Sequence, residues 1–159
     1  MIVYTALVTL SIFWAALILA PPWLMAERHF LTSAAIYKGF SAVCHQEPER
    51  SFFFQGHPMG VCSRCASIYA GFILGLLLYP FLRDLREGRF PPRWILIGAA
   101  IPTAIDFTGG ILGIFANTFL SRALTGILFG AVAAFYVTPG LVSALNDWRA
   151  GMAKPEANC

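Results

Sequence analysis

The chain has 159 residues, of which 58% are hydrophobic and 12% are charged. Soluble domains contain about 45–50% and about 25% of these classes, so the composition excludes an ordinary soluble domain and indicates a membrane protein. The net charge of +3 is small and the basic residues are spread over loops, so nucleic-acid binding has no support in the sequence.

Four long apolar runs predict four transmembrane helices, because a spanning helix needs about 20 apolar residues. We place them at about residues 2–25, 62–82, 94–115 and 117–145, in a single membrane domain of residues 1–159. A signal peptide is the alternative for the first run, but a basic beginning and a small-residue cleavage site before Pro21 are both missing. The predicted fold class is all-α, an integral membrane four-helix bundle.

The connection between the first two spans, residues 26–65, carries most of the polar chemistry. Apolar residues recur at helical spacing from Phe30 to Cys44, which predicts a short interfacial helix that ends before Pro48. Gly56 and the residues after it predict a turn, which would fold Cys62 back towards Cys44. We therefore expect an extramembrane hairpin over the mouth of the bundle.

Cysteine and histidine spacing in this connection predicts a zinc site. Cys44 and His45 are adjacent, and Cys62 and Cys65 form a CxxC pair, which is close to the two-cluster layout of zinc ribbons. Three thiolates and an imidazole suit tetrahedral zinc, so we predict these four residues as the metal ligands. His57 is the rival histidine, because turns before a CxxC also supply ligands.

Thiol–disulfide exchange is the alternative chemistry for the same cysteines. A CxxC at a helix N-terminus has a lowered thiol pKa, and Cys44 would be the exchanging partner. A CxxC that leads into the second span is similar in outline to quinone-linked disulfide-generating enzymes. Those enzymes use two cysteine pairs, whereas the fourth cysteine here, Cys159, lies at the far end of the chain.

Polar residues inside the predicted spans indicate a pocket on the membrane side of the cysteines. A carboxylate in a transmembrane helix is costly and indicates function, which singles out Asp106. Arg122 lies at a similar depth, with a vertical gap of about 6 Å, so we expect the two to pair. We predict Asp106 and Arg122 as catalytic residues, and Asn117 and Ser121 as contacts to a bound cofactor or ligand. A purely structural role for Asp106 stays open.

The distribution of arginines predicts the orientation in the membrane. The loop from Arg83 to Arg93 has four arginines in eleven residues, which favours the cytoplasmic side. We therefore expect a multi-pass protein of the cell (inner) membrane, with both termini cytoplasmic and the cysteine-containing connection extracytoplasmic.

The pattern CHQxPxRS, then CxRC leading into Tyr-Ala-Gly-Phe, resembles a family of small bacterial and archaeal membrane proteins known as domain of unknown function 2085. An aspartate in the third span and an Asn–Arg–Thr–Gly pattern extend the resemblance over most of the chain. Their counterparts here are Asp106, Asn117, Arg122, Thr125 and Gly126. The resemblance implies a multi-pass membrane protein and no particular activity.

Two further functional classes fit these observations. The first is a membrane metalloenzyme acting on a lipid-like or amphiphilic substrate, with Asp106 as proton carrier and Arg122 as anion clamp. The second is a binding or transport protein with a structural metal, in which the same two residues gate a path. Four protein ligands would indicate a closed structural metal, and three would indicate an open catalytic one.

Overall fold

The computed structural model describes residues 2–84 and 89–152. Five α-helices occur in this part of the chain: α1 Ile2–Ala26, α2 Phe30–Phe40, α3 Ser63–Leu82, α4 Arg93–Ile111 and α5 Phe119–Met152. A 3-10 helix, Pro48–Arg50, and two short strands, β1 Phe53–Phe54 and β2 His57–Pro58, lie between α2 and α3. Cys159 and part of the arginine-rich loop lie outside the described residues.

Four of the helices are long and apolar enough to cross a membrane: α1, α3, α4 and the part of α5 from Phe119 to Trp148. This confirms the predicted all-α fold with four candidate spans. The third span ends at Ile111, earlier than predicted, because Gly113 with a φ of 68° interrupts the helix. The fourth continues past residue 145, since the bilayer limits the apolar run but not the helix itself.

Glycines bring α3 and α5 into close backbone contact. A Cβ atom at Gly71 or Gly75 of α3 would collide with the backbone of α5 at Ile127 or Ala131. Gly130 of α5 meets the backbone of α3 in the same way. Gly71 and Gly75 in α3, and Gly126 and Gly130 in α5, each have the GxxxG spacing, and such small-residue faces drive helix association in membranes. The packing fixes the rotation of α3 about its own axis, and with it the direction in which the first turn of α3 points.

Helix α1 runs antiparallel to α3. The Tyr4 hydroxyl donates to the carbonyl of Leu76 at 2.9 Å, near the end of α3. Towards the other end, the Trp14 ring meets the edge of the Tyr69 ring at a centroid distance of 5.9 Å. The second half of α1 therefore lies next to the beginning of α3, where the cysteines are.

The predicted short helix, α2, folds back along the second half of α1. The Ser33 hydroxyl donates to the carbonyl of Pro21 at 2.9 Å, and the Phe40 and Trp14 rings pack edge to face at 5.2 Å. This hydrogen bond ties α2 to the Pro21–Pro22 segment of α1. Helix α2 thus ends beside α1 at the level where α3 begins.

The strands form a tight hairpin that returns the chain to α1. Phe53 pairs with Pro58 and Phe54 with His57, across a two-residue turn whose φ angles are both positive. The Tyr37 hydroxyl of α2 donates to the carbonyl of Pro58, and burial raises the pKa of this tyrosine, which keeps it protonated as a donor.

The segment after the hairpin docks against α1 and closes a small core. The amide of Gly60 donates to the carbonyl of Ile18 at 3.0 Å. Ile18, Phe40, Cys44 and Val61 are all buried together. This core places Cys62 directly beside Cys44, which confirms the predicted fold-back of the connection.

Candidate metal site and polar cavity

Three cysteines converge at the beginning of α3. The sulfur atoms of Cys44, Cys62 and Cys65 all lie within 4.8 Å of one another. A tetrahedral zinc with Zn–S bonds of about 2.3 Å separates its sulfurs by about 3.8 Å, so the cluster fits a shared metal after a small contraction. Cys44 is buried and the other two are half-buried.

Backbone amides stabilise a negative charge on Cys44. The amide of Cys62 donates to the Cys44 sulfur at 3.2 Å, and the amide of Gln46 also bonds to it. The side chains of Cys62 and then Cys65 are the main causes that lower the pKa of Cys44, and the two amides add to them against the opposing effect of burial. The hydrogen bonds among the three thiols, together with burial, leave the negative charge of the cluster on Cys44 and not on Cys65. Thiolate is the metal-binding form of cysteine, and Cys44 is therefore the thiol of the cluster that is prepared for coordination.

Gln46 fixes the turn that carries Cys44. Its side-chain amide donates to the carbonyls of Tyr37 at 2.9 Å and Gly60 at 2.7 Å. Its φ of 53° lies in the left-handed region, which a side chain larger than glycine occupies at a cost. The two hydrogen bonds hold this conformation and tie the end of α2 to the segment before Cys62.

The predicted histidine ligand lies outside the cysteine cluster. Among the described residues, the group that can hold a metal consists of the three cysteines, without His45 or His57. His45 is exposed and lies at the edge of the same cavity, but its ring is not part of the cluster of converging ligand atoms. The structure therefore brings together three of the four predicted ligands.

A cavity of about 300 Å³ opens beside the cysteines. All three cysteines line it, together with His45 and the predicted residues Asn117 and Arg122. Further lining residues that the sequence analysis did not assign to a site are Glu47, Arg50, Arg64 and the apolar Val43, Phe107 and Ile111. A cavity therefore lies next to the cysteines, and of the predicted pocket residues it includes Asn117 and Arg122 but not Asp106 or Ser121.

Asp106 is buried behind the cavity wall, and its ion-pair partner differs from the predicted one. Its carboxylate pairs with Arg64 and not with Arg122, which corrects our expectation. The prediction compared the depths of Asp106 and Arg122 and did not consider Arg64, although Arg64 lies within the predicted second span, 62–82. Because α3 begins at Ser63, Arg64 lies in its first turn and reaches α4 across the bundle mouth.

Asn117 completes the surroundings of Asp106. Its side-chain amide donates to the Asp106 carbonyl oxygen and, at 3.3 Å, to the carboxylate. A Cβ atom at Gly110 would collide with the Asn117 side chain, so the glycine gives the space that Asn117 needs. Asn117 therefore joins the end of α4 to the beginning of α5 as well as lining the cavity.

Ser121 caps α5 and does not line the cavity. The Thr118 hydroxyl accepts from the Ser121 amide at 3.0 Å, and the Ser121 hydroxyl accepts from the Thr118 amide at 3.2 Å. These reciprocal bonds are those of a capping box. Ser121 thus fixes the first turn of α5, from which the Arg122 side chain extends.

The three arginines of the cavity have different partners. Arg50 pairs with Glu47 at 2.8 Å, and both side chains are about half exposed. Arg64 forms an ion pair with Asp106, and its guanidinium carbon also lies 5.3 Å from the centroid of the Phe107 ring. For Arg122, the described residues offer no carboxylate within 4 Å. The sequence could have indicated a role for both Arg50 and Arg64, because Arg50 belongs to the CHQxPxRS motif and Arg64 belongs to the CxRC motif.

A bundle with four candidate spans and a three-cysteine cluster at one end defines a multi-span helical membrane protein with a candidate metal centre. The chain belongs to the family described as "Predicted membrane protein (DUF2085)", whose model matches residues 44–136. The match begins at the first cysteine of the cluster and extends into α5, and it confirms the resemblance found in the sequence.

Two archaeal relatives are similar over much of their length. The chain is 38% identical over 137 residues to an uncharacterized protein of Methanocaldococcus jannaschii, which covers 84% of this chain and 88% of that protein. It is 36% identical over 93 residues to an uncharacterized protein of Methanothermobacter thermautotrophicus, which covers 57% of this chain and 80% of that protein. No solved structure matches the chain.

Proposed function

We propose that this protein is a membrane metalloenzyme in which Cys44, Cys62 and Cys65 hold a zinc ion at the wall of the cavity. An amphiphilic substrate enters this cavity from the lipid. The observation that carries the proposal is that all three converging cysteines line the cavity. A closed structural metal is surrounded by its protein ligands, whereas here the cluster faces open space.

The donor set supports zinc and an open coordination position. Thiolates select zinc over the hard cations, and the turn at the start of α3 supplies two of them in the usual CxxC arrangement. Three protein ligands leave the fourth position for water or substrate, as in catalytic zinc sites. A zinc ion held by Cys44, Cys62 and Cys65 would supply Lewis-acid chemistry at this wall of the cavity.

The apolar side of the cavity supports an amphiphilic substrate. Phe107 and Ile111 line the cavity from α4, and their side chains are 50% and 63% exposed, respectively. In a membrane, such exposed apolar side chains of a spanning helix lie against lipid. A molecule with a polar head and an apolar tail can therefore reach the cysteines from the bilayer.

The roles of the polar residues follow from their positions. Arg122 and Asn117 face the cavity and contact the substrate. Asp106 holds Arg64, and through it the CxxC turn, so we assign it a positioning role in place of the predicted proton carrier. Membrane lipids are the surroundings of the protein and the source of its substrate.

We also propose that the protein resides in the cell membrane with both termini in the cytoplasm. Four spans place the two termini on the same side, and the arginines from Arg83 to Arg93 favour the cytoplasm for that side. The cysteine cluster lies at the opposite end of α3 and therefore on the extracytoplasmic side.

The coordination of the metal tests the proposed function. We expect X-ray absorption of the purified zinc protein to show three sulfur ligands and one oxygen, without the outer-shell scattering of imidazole. The variant His45→Ala should give the same spectrum and the same zinc content. Imidazole scattering that disappears in His45→Ala would show a closed site and favour a binding or transport protein with a structural metal. A metal-free protein with a Cys44 disulfide would favour the thiol–disulfide oxidoreductase.

A further inference from the structure

We infer that the cavity selects an amphiphile whose head is an oxyanion, a phosphate or a carboxylate, and that Arg122 is its main ligand. The inference rests on the proposed function and deepens it by naming the class of substrate. It starts from the charges that face the cavity.

Guanidinium groups outnumber carboxylates on the cavity wall. Three arginines line it, and Glu47 is the one carboxylate among the described lining residues. The Arg64 charge is already compensated by Asp106. A zinc ion held by three thiolates adds one negative charge, so the wall carries no overall excess of positive charge. The preference for an anionic head is therefore local to Arg122, which has no ion-pair partner among the described residues.

Arg122 is the residue whose charge lacks a counterpart. It is half-buried in the first turn of α5 and has no carboxylate within 4 Å among the described residues. A partly buried cation without a partner is costly, and an anionic ligand removes that cost. The planar guanidinium donates two parallel hydrogen bonds to phosphate or carboxylate oxygens.

Arg50 supplies a second cation that can turn to the ligand. Its bond to Glu47 connects two side chains that are about half exposed, and such surface pairs contribute little. An incoming oxyanion can therefore compete with Glu47 for the Arg50 guanidinium. Arg50 and Arg122 approach the cavity from the connection and from α5, so the two hold a head group from different elements.

The size of the cavity limits what is enclosed. A volume of about 300 Å³ is at the lower end of the range of about 300–1,000 Å³ for small-molecule sites. It accommodates a head group with its first carbons and not a whole lipid. The rest of the tail must lie outside, along the exposed apolar surface of Phe107 and Ile111.

Binding of four probes to the zinc-loaded protein in a neutral detergent tests this inference. The probes are phosphatidic acid, a fatty acid, uncharged diacylglycerol and inorganic phosphate, measured by titration calorimetry. We expect phosphatidic acid or the fatty acid to bind at least about tenfold more tightly than diacylglycerol, because a charge-assisted hydrogen bond to arginine is lost with the neutral head. The stronger of the two anionic amphiphiles identifies the head as phosphate or carboxylate.

Variants connect that preference to Arg122. Arg122→Gln should reduce the binding of the preferred amphiphile about tenfold or more, and Arg122→Lys should restore part of it. Arg93→Gln, an exposed arginine at the other end of α4, is the matched control and should leave binding unchanged. The zinc content should stay constant in all three.

The outcomes separate this inference from the proposed function. Equal binding of diacylglycerol, or an Arg122→Gln variant that binds normally, would overturn the inference while zinc remains in place. Inorganic phosphate that binds as tightly as phosphatidic acid would overturn the amphiphile part of it. A preference for anionic amphiphiles in a protein that never binds zinc would support the anion site and refute the metalloenzyme.

Discussion

The guanidinium of Arg64 pairs with the carboxylate of Asp106, and this bond joins the turn that carries two cysteines to the opposite helix α4. Arg64 stands between Cys62 and Cys65, so any movement of the arginine moves the cluster. The side chains are 16% and 7% exposed, which places the ion pair inside the bundle. The pair therefore positions the metal site as well as connecting α3 to α4.

Removing one member of this pair should destabilise the protein strongly. We expect Asp106→Asn and Arg64→Gln each to lower the free energy of unfolding by about 3–5 kcal/mol, because the remaining charge is left buried without a partner. The double variant should regain much of this loss. Unfolding in a mild detergent, followed by circular dichroism, measures all four proteins.

The corresponding set of single and double variants of Asp106 and Arg122 is the control. Arg122 forms no ion pair with Asp106 but lies near enough to be affected by its charge, so the coupling between Asp106→Asn and Arg122→Gln should be clearly smaller than that between Asp106→Asn and Arg64→Gln. A coupling between Asp106 and Arg122 that exceeds the coupling between Asp106 and Arg64 would contradict the observed pairing.

The depth of each polar residue in the membrane could be predicted from the sequence, whereas the direction in which its side chain points could not. The bilayer fixes the length of an apolar run, so the four spans and the side on which Asp106, Asn117 and Arg122 lie followed from counting residues. Rotation about each helix axis depends on packing. Gly71 and Gly130 set that rotation for α3 and α5, and it is this rotation that directs Arg64 towards Asp106.

The cysteine cluster was predictable because its chemistry is local. Cys62 and Cys65 are one helical turn apart, and a glycine-containing turn between Phe54 and Gly60 returns the chain to Cys44. The position of His45 was not predictable, since adjacent side chains diverge by an amount that depends on the backbone where α2 ends.

Each cysteine of the cluster should be necessary for zinc. Cys44→Ser, Cys62→Ser and Cys65→Ser should each reduce the zinc content from about one per chain to a small fraction, because a hydroxyl does not replace a thiolate at zinc. Elemental analysis of the purified proteins measures this. Cys159→Ser makes the same chemical change in the C-terminal segment and should retain the metal. Full zinc in Cys44→Ser would remove that residue from the site.

Gln46 should contribute to stability through both its side chain and its backbone. Gln46→Ala removes the donor of the Gly60 carbonyl and one of the two donors of the Tyr37 carbonyl, which should cost about 1–3 kcal/mol. The Tyr37 carbonyl keeps the Ser41 amide as its other donor. Gln46→Gly loses the same hydrogen bonds but occupies the positive φ without strain, so it should be about 1 kcal/mol more stable than Gln46→Ala. The reverse order in thermal unfolding would show that the left-handed conformation is absent.

The contact between α3 and α5 predicts opposite effects for one substitution at two glycines. Gly71→Ala puts a Cβ atom into the backbone of Ile127, so it should destabilise the protein by about 1–3 kcal/mol. Gly98→Ala in α4 meets no atom within 4 Å and should stabilise its helix by about 0.5–1 kcal/mol. Both are measured by unfolding in detergent. Equal effects would mean that the two helices are farther apart than described.

The orientation of the protein is tested by reporters at the C-terminus. We expect a green fluorescent protein fused after residue 159 to be fluorescent and an alkaline phosphatase at the same position to be inactive, because the phosphatase matures only outside the cytoplasm. An additional alkaline phosphatase inserted at Glu49, in the exposed 3-10 helix, should be active. Replacing Arg83, Arg86, Arg89 and Arg93 by glutamine should weaken the preference for an orientation with a cytoplasmic C-terminus, since these arginines favour the cytoplasmic side. An active phosphatase at the C-terminus would place the cysteine cluster in the cytoplasm, where thiols stay reduced, and would leave metal binding as its chemistry.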